Sequence, residues 1–245
     1  MSDSRLCCLR MDDIGASSKL FEVYSKNLFG NILFLKYLEP YRAWGPYEEL
    51  NSDEWCKIID LLIKHKSKLT VGITASWVDK SGDLIPFPEK FPKQAKLLKH
   101  AMYENIIEIA NHGLSHCIIG KHLPHYFTSN RIFHREFWNW LPREIHFTHL
   151  KKSQQILQEW LGKNTISFIP PGNVYSYDTI EAAFKNRIEI INANKILYTK
   201  LPIKIRDLTN VIPFHDREIK LNGMQWFENL IINNVDNEHL FVREL

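Results

Sequence analysis

Four places in this 245-residue chain concentrate side chains able to do chemistry. Asp12 and Asp13 follow a short apolar run. Two adjacent carboxylates can serve opposite needs, one binding a metal while the other takes a proton from water. The same pair also suits a helix N-cap with a solvated neighbour, Gly15 completing a turn. His112 and His116 stand four apart in His112-Gly-Leu-Ser-His116, a spacing that lets two neutral imidazoles converge on one ion. Gly113 sits where the HExxH pattern has its glutamate, so that motif's general base is missing. Asp13, His112 and His116 together would offer one hard oxygen and two borderline nitrogens. That set suits Zn²⁺, and also Co²⁺, Ni²⁺ or Fe²⁺, with positions left for water and substrate. A metal-bound water is acidified toward neutrality; Asp12 could take its proton, and a separate donor would serve the leaving group.

These residues need elements to hold them. Residues 6–11 read as a buried strand closed by Asp12-Asp13-Ile14-Gly15, 69–75 as a compact β-branched strand, and 106–110 as the strand before His112. Residues 165–169 form the strand before Pro170-Pro171-Gly172, and further strands are expected at 188–192, 211–214 and 240–242. Residues 18–37 read as a loop and helix. Ser52 would cap a helix over 53–65, with Trp55, Ile58, Ile59, Leu62 and Ile63 on one face. Further helices are expected over 93–103 (with a basic, solvated outer face), over 135–161 with a break allowed at Pro142, and over 178–186 and 223–233. Residues 80–92, with three prolines and Gly82, read as a loop, and 120–131 as an excursion over the surface. Strands alternating with helices predict an α/β fold, a parallel sheet with helices outside. Asp12-Asp13, His112, Pro170-Pro171-Gly172 and His215 all fall just past strand ends, where such sheets and barrels build their sites.

Composition narrows the class. Thirty-one Lys+Arg against 28 Asp+Glu leave +3, too little and too evenly spread to argue for nucleic acid or an anionic membrane as partner. With 44% hydrophobic and 24% charged residues, wholesale disorder is excluded. The length suits one domain over 1–245. No run approaches the roughly 18 apolar residues of a membrane span. The first ten residues lack the basic-then-apolar signature of a secretory signal, and Cys7, Cys8, Cys56 and Cys117 show no CxxC spacing. Free thiols and a cytoplasmic location are the expectation. Nothing in the sequence specifies an oligomeric state.

In this order the motifs resemble those of the polysaccharide deacetylase superfamily, the NodB-homology or carbohydrate esterase family 4 proteins. Met11-Asp12-Asp13 resembles the first motif and Glu108-Ile-Ala-Asn-His112-Gly-Leu-Ser-His116 the second. Phe168-Ile-Pro-Pro-Gly-Asn173 resembles the third, a wall of the cleft, and Pro213-Phe214-His215-Asp216 the last. The match runs from residue 6 to about 218, nearly the whole chain.

The resemblance implies a distorted (β/α) barrel of parallel strands, of the seven-stranded deacetylase type, and metal-dependent hydrolysis of an N-acyl group on a sugar. It implies Asp12 as base, Asp13, His112 and His116 as metal ligands, and His215 as the acid that protonates the departing amine. The Gly172 N–H would help to stabilise the oxyanion. Pro171, Asn173 and Tyr175 would line the substrate side. Ile169 stands where the family pattern carries an arginine that orients the base; that cation is lost unless Arg10 or Arg217 reaches in. The Asp-x-x-Asp-Trp fourth motif has no counterpart, leaving Asp207 or Asp216 to hold the His215 ring. The substrate expected is an N-acetylated or otherwise N-acylated sugar, a precursor in surface-polysaccharide assembly. The rival readings are a barrel that binds carbohydrate without turnover and an amidohydrolase for a non-sugar C–N bond. Trp44, Trp77, Trp138 and Trp140 could stack on a sugar ring, though such aromatics more often pack in a core. His122, His125, His134, His146 and His149 read as surface or structural.

Overall fold

Strand β1 (Leu6–Ile14) is the axis of the molecule, and every residue after Leu6 in it is buried. A strand covered on both faces is normally all apolar; this one carries Arg10, Asp12 and Asp13 inside. The computed structural model describes residues 6–20, 48–79, 81–118, 135–234 and 238–245. On one edge β1 pairs in parallel with β2 (Leu69–Ile73), and on the other with β9 (Val211–His215). From β2 the parallel order continues through β5 (Ile107–Asn111), β6 (Ser167–Phe168), β7 (Ile190–Asn192) and β8 (Lys204–Arg206). A short β10 (Glu238–His239) meets the first two residues of β1. Among the described residues no ladder joins β8 to β9. The sheet is therefore a curled half-barrel with helices outside, the α/β architecture expected from the strand–helix alternation.

The helices follow from local signals. Helix α1 (Ser52–Lys64) begins in a capping box in which Asn51 accepts from the Asp53 and Glu54 amides and Glu54 reaches back to Asn51. Asn51 is thus the cap, and Ser52 is the first helical residue. Trp55, Ile58 and Leu62 are buried against β1 and β2, while Ile63, expected on that face, is 55% exposed. After the short α2 (Phe87–Lys90), α3 (Pro92–Tyr103) covers the same core. Helix α4 (Arg143–Leu161) starts only after Pro142, whose extended backbone (ψ 138) turns the chain into it; residues 135–142 are turns and a bridge, not helix. Helix α5 (Tyr177–Lys185) packs with α4 over a second core around β6 and β7.

Several elements depart from the sequence reading. The proline-bearing loop contains an antiparallel hairpin of β3 (Ser76–Val78) and β4 (Leu84–Pro86), with Pro86 at its end. Strand β8 was not foreseen; its Lys-Ile-Arg sequence is charged and half exposed. The last strand lies at Glu238–His239, and Val242–Glu244 is a 3-10 turn. Helix α6 (Asp216–Asn222) was also unforeseen and precedes the expected α7 (Met224–Ile232). The excursion at 120–131, Trp44, His122, His125, His134 and residues 21–37 lie outside the described residues.

A buried charged triad ties the turn after β1 to α6. The Lys19 ammonium lies 3.0 Å from both the Asp216 and the Glu49 carboxylates, and Glu49 also accepts from the Gly15 amide at 2.7 Å. Burial pushes the Glu49 carboxyl up to about 7, Asp216 adding to the rise while Lys19 opposes it. The folded state therefore holds this proton more tightly than the unfolded chain, so Glu49's contribution to stability is full below the ordinary carboxylate range. It is lost as pH rises from about 4.5 toward 7. Urea midpoints at pH 5 and pH 7.5 should fall more steeply for the parent than for Glu49→Gln; equal slopes would refute the assignment.

Candidate active site

Asp12 and Asp13 reach the same pocket because β1 is irregular there. The β1–β2 register shifts between Met11 and Ile14, and Asp13 has φ +69. Such a bulge re-aims side chains that would otherwise alternate, so neither carboxylate is a solvated cap: Asp12 is 5% and Asp13 4% exposed. Asp13 Oδ1 lies 3.1 Å from His112 Nε2 and 2.9 Å from His116 Nε2. These three ligand atoms lie within 4.8 Å of one another. Asp13 Oδ2 accepts from Arg217 Nη2 at 2.8 Å and lies 3.9 Å from His215 Nε2. Burial works to raise the Asp13 carboxyl, but the charges of His116 and His215 and hydrogen bonds from both ligand histidines outweigh it. They hold it well below the usual carboxylate range.

The histidines are oriented from behind. His112 Nδ1 donates to the Ile169 carbonyl at 2.7 Å, the usual arrangement behind a metal-ligating imidazole, whose Nε2 would bind the ion once deprotonated. The ring packs on Gly72, where an added Cβ would stand 3.4 Å from its Cγ. His116 Nδ1 contacts Ser18 Oγ at 2.8 Å, while Arg135 Nη1 lies over the ring edge, 2.7 Å from Nδ1 and 3.0 Å from Nε2. Beneath the 112–116 loop lies the buried Glu136 carboxylate, which accepts from the Leu114 and Ser115 amides, the Ser115 hydroxyl and His149 Nδ1. Gly113, at φ +82, is required here, since a Cβ would fall 2.0 Å from Glu136 Oε2. His149 and His146 are thus buried structural residues, the latter on Thr179. Glu136 itself escaped the sequence reading.

Beside the triad, Asp12 Oδ2 accepts from Arg10 Nη2 at 2.6 Å. Asp12 Oδ1 is buried with no hydrogen-bond partner among the described residues. Arg10 stands two residues before Asp12 on the same strand face and crosses the barrel to Asn192 Oδ1 at 2.5 Å, with a further contact to Asn173 Oδ1 at 3.3 Å. The cation displaced from position 169 has therefore come from β1, and Arg217 has come to Asp13; both candidates are used, on different carboxylates. Asn192, on β7, carries no motif that marks it in the sequence.

His215 ends β9 opposite Asp12 in the ladder and caps α6. Neither Asp207 nor Asp216 holds its ring: Asp216 is engaged by Lys19, and the half-buried Asp207 accepts from the Thr209 amide. The partner is Glu218, with Oε1 3.4 Å from Nδ1 and Oε2 on the His215 amide at 2.9 Å. The His-x-x-Glu spacing at the head of a helix was the signal for it. Burial opposes protonation of His215, but Asp13 and Glu218 raise its pKa above the ordinary histidine value, keeping a proton available.

On the substrate side, Pro171–Asn173 forms a 3-10 turn with Gly172 at φ +63 and Asn173 at φ +57. Pro171 abuts Gly113 of the histidine loop, and Arg135 lies against Gly172. Tyr175 is engaged by the backbone of the 195–197 loop. Its hydroxyl donates to the Lys195 carbonyl and accepts from the Leu197 amide, fixing the wall of a cleft of about 430 Å³. Trp138, Asn139, Asn173, Tyr177 and Asn194 also line this cleft. Trp140 is not in its lining and is 54% exposed, and Trp77 packs edge-on against Phe91.

A parallel half-barrel that gathers an Asp-His-His cluster, a further carboxylate and a histidine at its strand ends defines a (β/α)-barrel protein with a candidate metal centre at the carboxyl face. The chain belongs to the polysaccharide deacetylase family, whose model matches residues 45–191. That span contains His112, His116 and the Pro-Pro-Gly turn, while Asp12, Asp13 and His215 lie outside it and are brought in by the fold. Among solved structures, the fold resembles a carbohydrate esterase family 4 pseudoenzyme from Bacillus anthracis (TM-score 0.52, 11% identity, 100% of this chain and 66% of that one). It also resembles a family 4 acetyl xylan esterase from Clostridium thermocellum in complex with a cobalt ion (TM-score 0.50, 16% identity, 98% and 89%). A third is a peptidoglycan N-acetylglucosamine deacetylase (TM-score 0.50, 14% identity, 100% and 89%). No curated protein matches the chain. At these identities the structural likenesses show the fold.

Proposed function

We propose that this chain is a metal-dependent hydrolase that removes an N-acetyl or other N-acyl group from a sugar or glycan. The observation that carries the reading is the convergence of Asp13, His112 and His116 beside an aspartate with an unpartnered buried oxygen, Asp12 Oδ1. One carboxylate oxygen and two imidazole nitrogens suit a divalent transition ion, Zn²⁺ foremost. The second-nitrogen bond of His112 to a carbonyl is the support such a ligand needs. When bound, the ion supplies Lewis-acid polarisation of the acyl carbonyl and lowers the pKa of a water.

The chain's own residues supply the rest. Asp12 Oδ1 accepts the proton of the attacking water, while Arg10 holds Oδ2 and so fixes which oxygen is available. The Gly172 N–H serves the oxyanion as the water oxygen bonds to the acyl carbon. His215, kept protonated by Asp13 and Glu218, gives its proton to the amine as the C–N bond breaks. The cleft supports a sugar over a small amide, since aromatic rings and side-chain amides at Trp138, Tyr177, Asn139 and Asn194 match a glycan's faces and hydroxyls.

The test is metal content and acetate release from a panel of N-acetylated sugars. The parent should hold about one equivalent of a transition ion per chain and release acetate. His112→Ala should lose both, and His215→Ala should keep the metal with turnover lowered about 10²-fold or more. A parent that binds the sugars and the metal without releasing acetate would replace this reading with that of a binding protein.

A further inference from the structure

The first turn of α6 carries a residue with no place in the mechanism above. Arg217 is 1% exposed and its Nη2 lies 2.8 Å from Asp13 Oδ2. Asp13 is divided: Oδ1 faces both imidazoles at 3.1 and 2.9 Å, and Oδ2 faces Arg217 with His215 at 3.9 Å. A carboxylate with nothing on its second oxygen can swing to chelate a cation through both. One whose second oxygen sits in a charge-assisted bond to a buried guanidinium cannot do so without breaking that bond and leaving the guanidinium unpaired on that side. The left-handed backbone at Asp13 (φ +69) adds to the need for an anchor, because the bulge alone allows the side chain more than one direction.

We infer that Arg217 is a positioning residue that restricts Asp13 to one-oxygen ligation, reserving Oδ1 for the cation and Oδ2 for the His215 side of the site. The inference rests on the reading of Asp13, His112 and His116 as a metal triad. Its consequence concerns coordination number: the carboxylate supplies the cation with one ligand atom where a chelating carboxylate would supply two. The segment His215–Glu218 then serves both halves of the chemistry, with Glu218 on the acid and Arg217 on the ligand.

The experiment loads the full chain with Co²⁺ and reads the visible d–d spectrum, whose intensity falls as coordination number rises. The parent should show the stronger bands of a low-coordinate site. Arg217→Met, which keeps the buried stem and removes the donor, should lower the absorptivity by about twofold or more, with melting temperature followed in parallel. Arg217→Gln, with a polar end too short to reach Oδ2, is the second variant should the first not fold, and the same fall is expected. Arg217→Lys should restore the parent spectrum. Arg217→Met or Arg217→Gln binding cobalt with the parent spectrum overturns the role of Arg217 and leaves the triad standing. A parent that takes up no cobalt overturns the triad itself, and this inference with it.

Discussion

Asp12→Asn should abolish acetate release while leaving the metal in place. The two adjacent carboxylates have different partners: Asp13 is bonded to both imidazoles and to Arg217, whereas Asp12 touches none of the ligand histidines and offers Oδ1 to no described group. An asparagine keeps a carbonyl oxygen to accept from Arg10 Nη2, so the hydrogen bond survives, but the buried guanidinium loses its counter-charge and the melting temperature should fall below that of the parent. What it loses is the ability to take a proton. Removing a general base costs about 10²–10⁴ in rate, and a fall of that size with unaltered metal content is the expected result. A variant as active as the parent would transfer the base role elsewhere; one that lost its metal would show that Asp12 is a ligand.

Arg10→Met should be the most destabilising single change in the site. The guanidinium is fully buried and bonds Asp12, Asn192 and Asn173. Methionine fills much of its volume but leaves the Asp12 carboxylate buried without its cation, a loss worth about 3–5 kcal/mol. In a domain of this size that lowers the melting temperature by on the order of 10 °C. Arg10→Lys keeps the charge but cannot span Asp12 and Asn192 together, so it should recover part of the stability and little activity. A melting temperature within a degree or two of the parent for Arg10→Met would show that the crossing contact holds nothing together.

Much of this candidate site was legible in the linear chain because the residues that converge in it come in short groups that end strands. Asp12-Asp13, His112 with His116, Pro171-Gly172 and His215 could be read from β-branched runs and the turns after them, and so could the strand–helix alternation that makes the half-barrel. The supporting residues were not legible for a different reason. Glu136 reaches the amides of Leu114 and Ser115 from a turn some twenty residues away, and Asn192 meets Arg10 across the whole barrel. Those contacts depend on how strands curl, which no local pattern encodes. Tyr175 illustrates the converse: its position after the turn suggested a substrate contact, yet its hydroxyl is occupied by backbone of the 195–197 loop. Strand β8 was missed because its neighbours in space, not its own charged residues, make it a strand.

The arginine beside Asp12 stands on β1 and not at position 169, and its charge is paired with that carboxylate. The letter at position 169 alone, an isoleucine, would count that charge as lost. Tracing instead where the guanidinium ends, at Asp12 Oδ2, shows that a buried cation still pairs with that carboxylate. Judging whether such a charge is kept thus calls for following functional groups through space and not letters down a column.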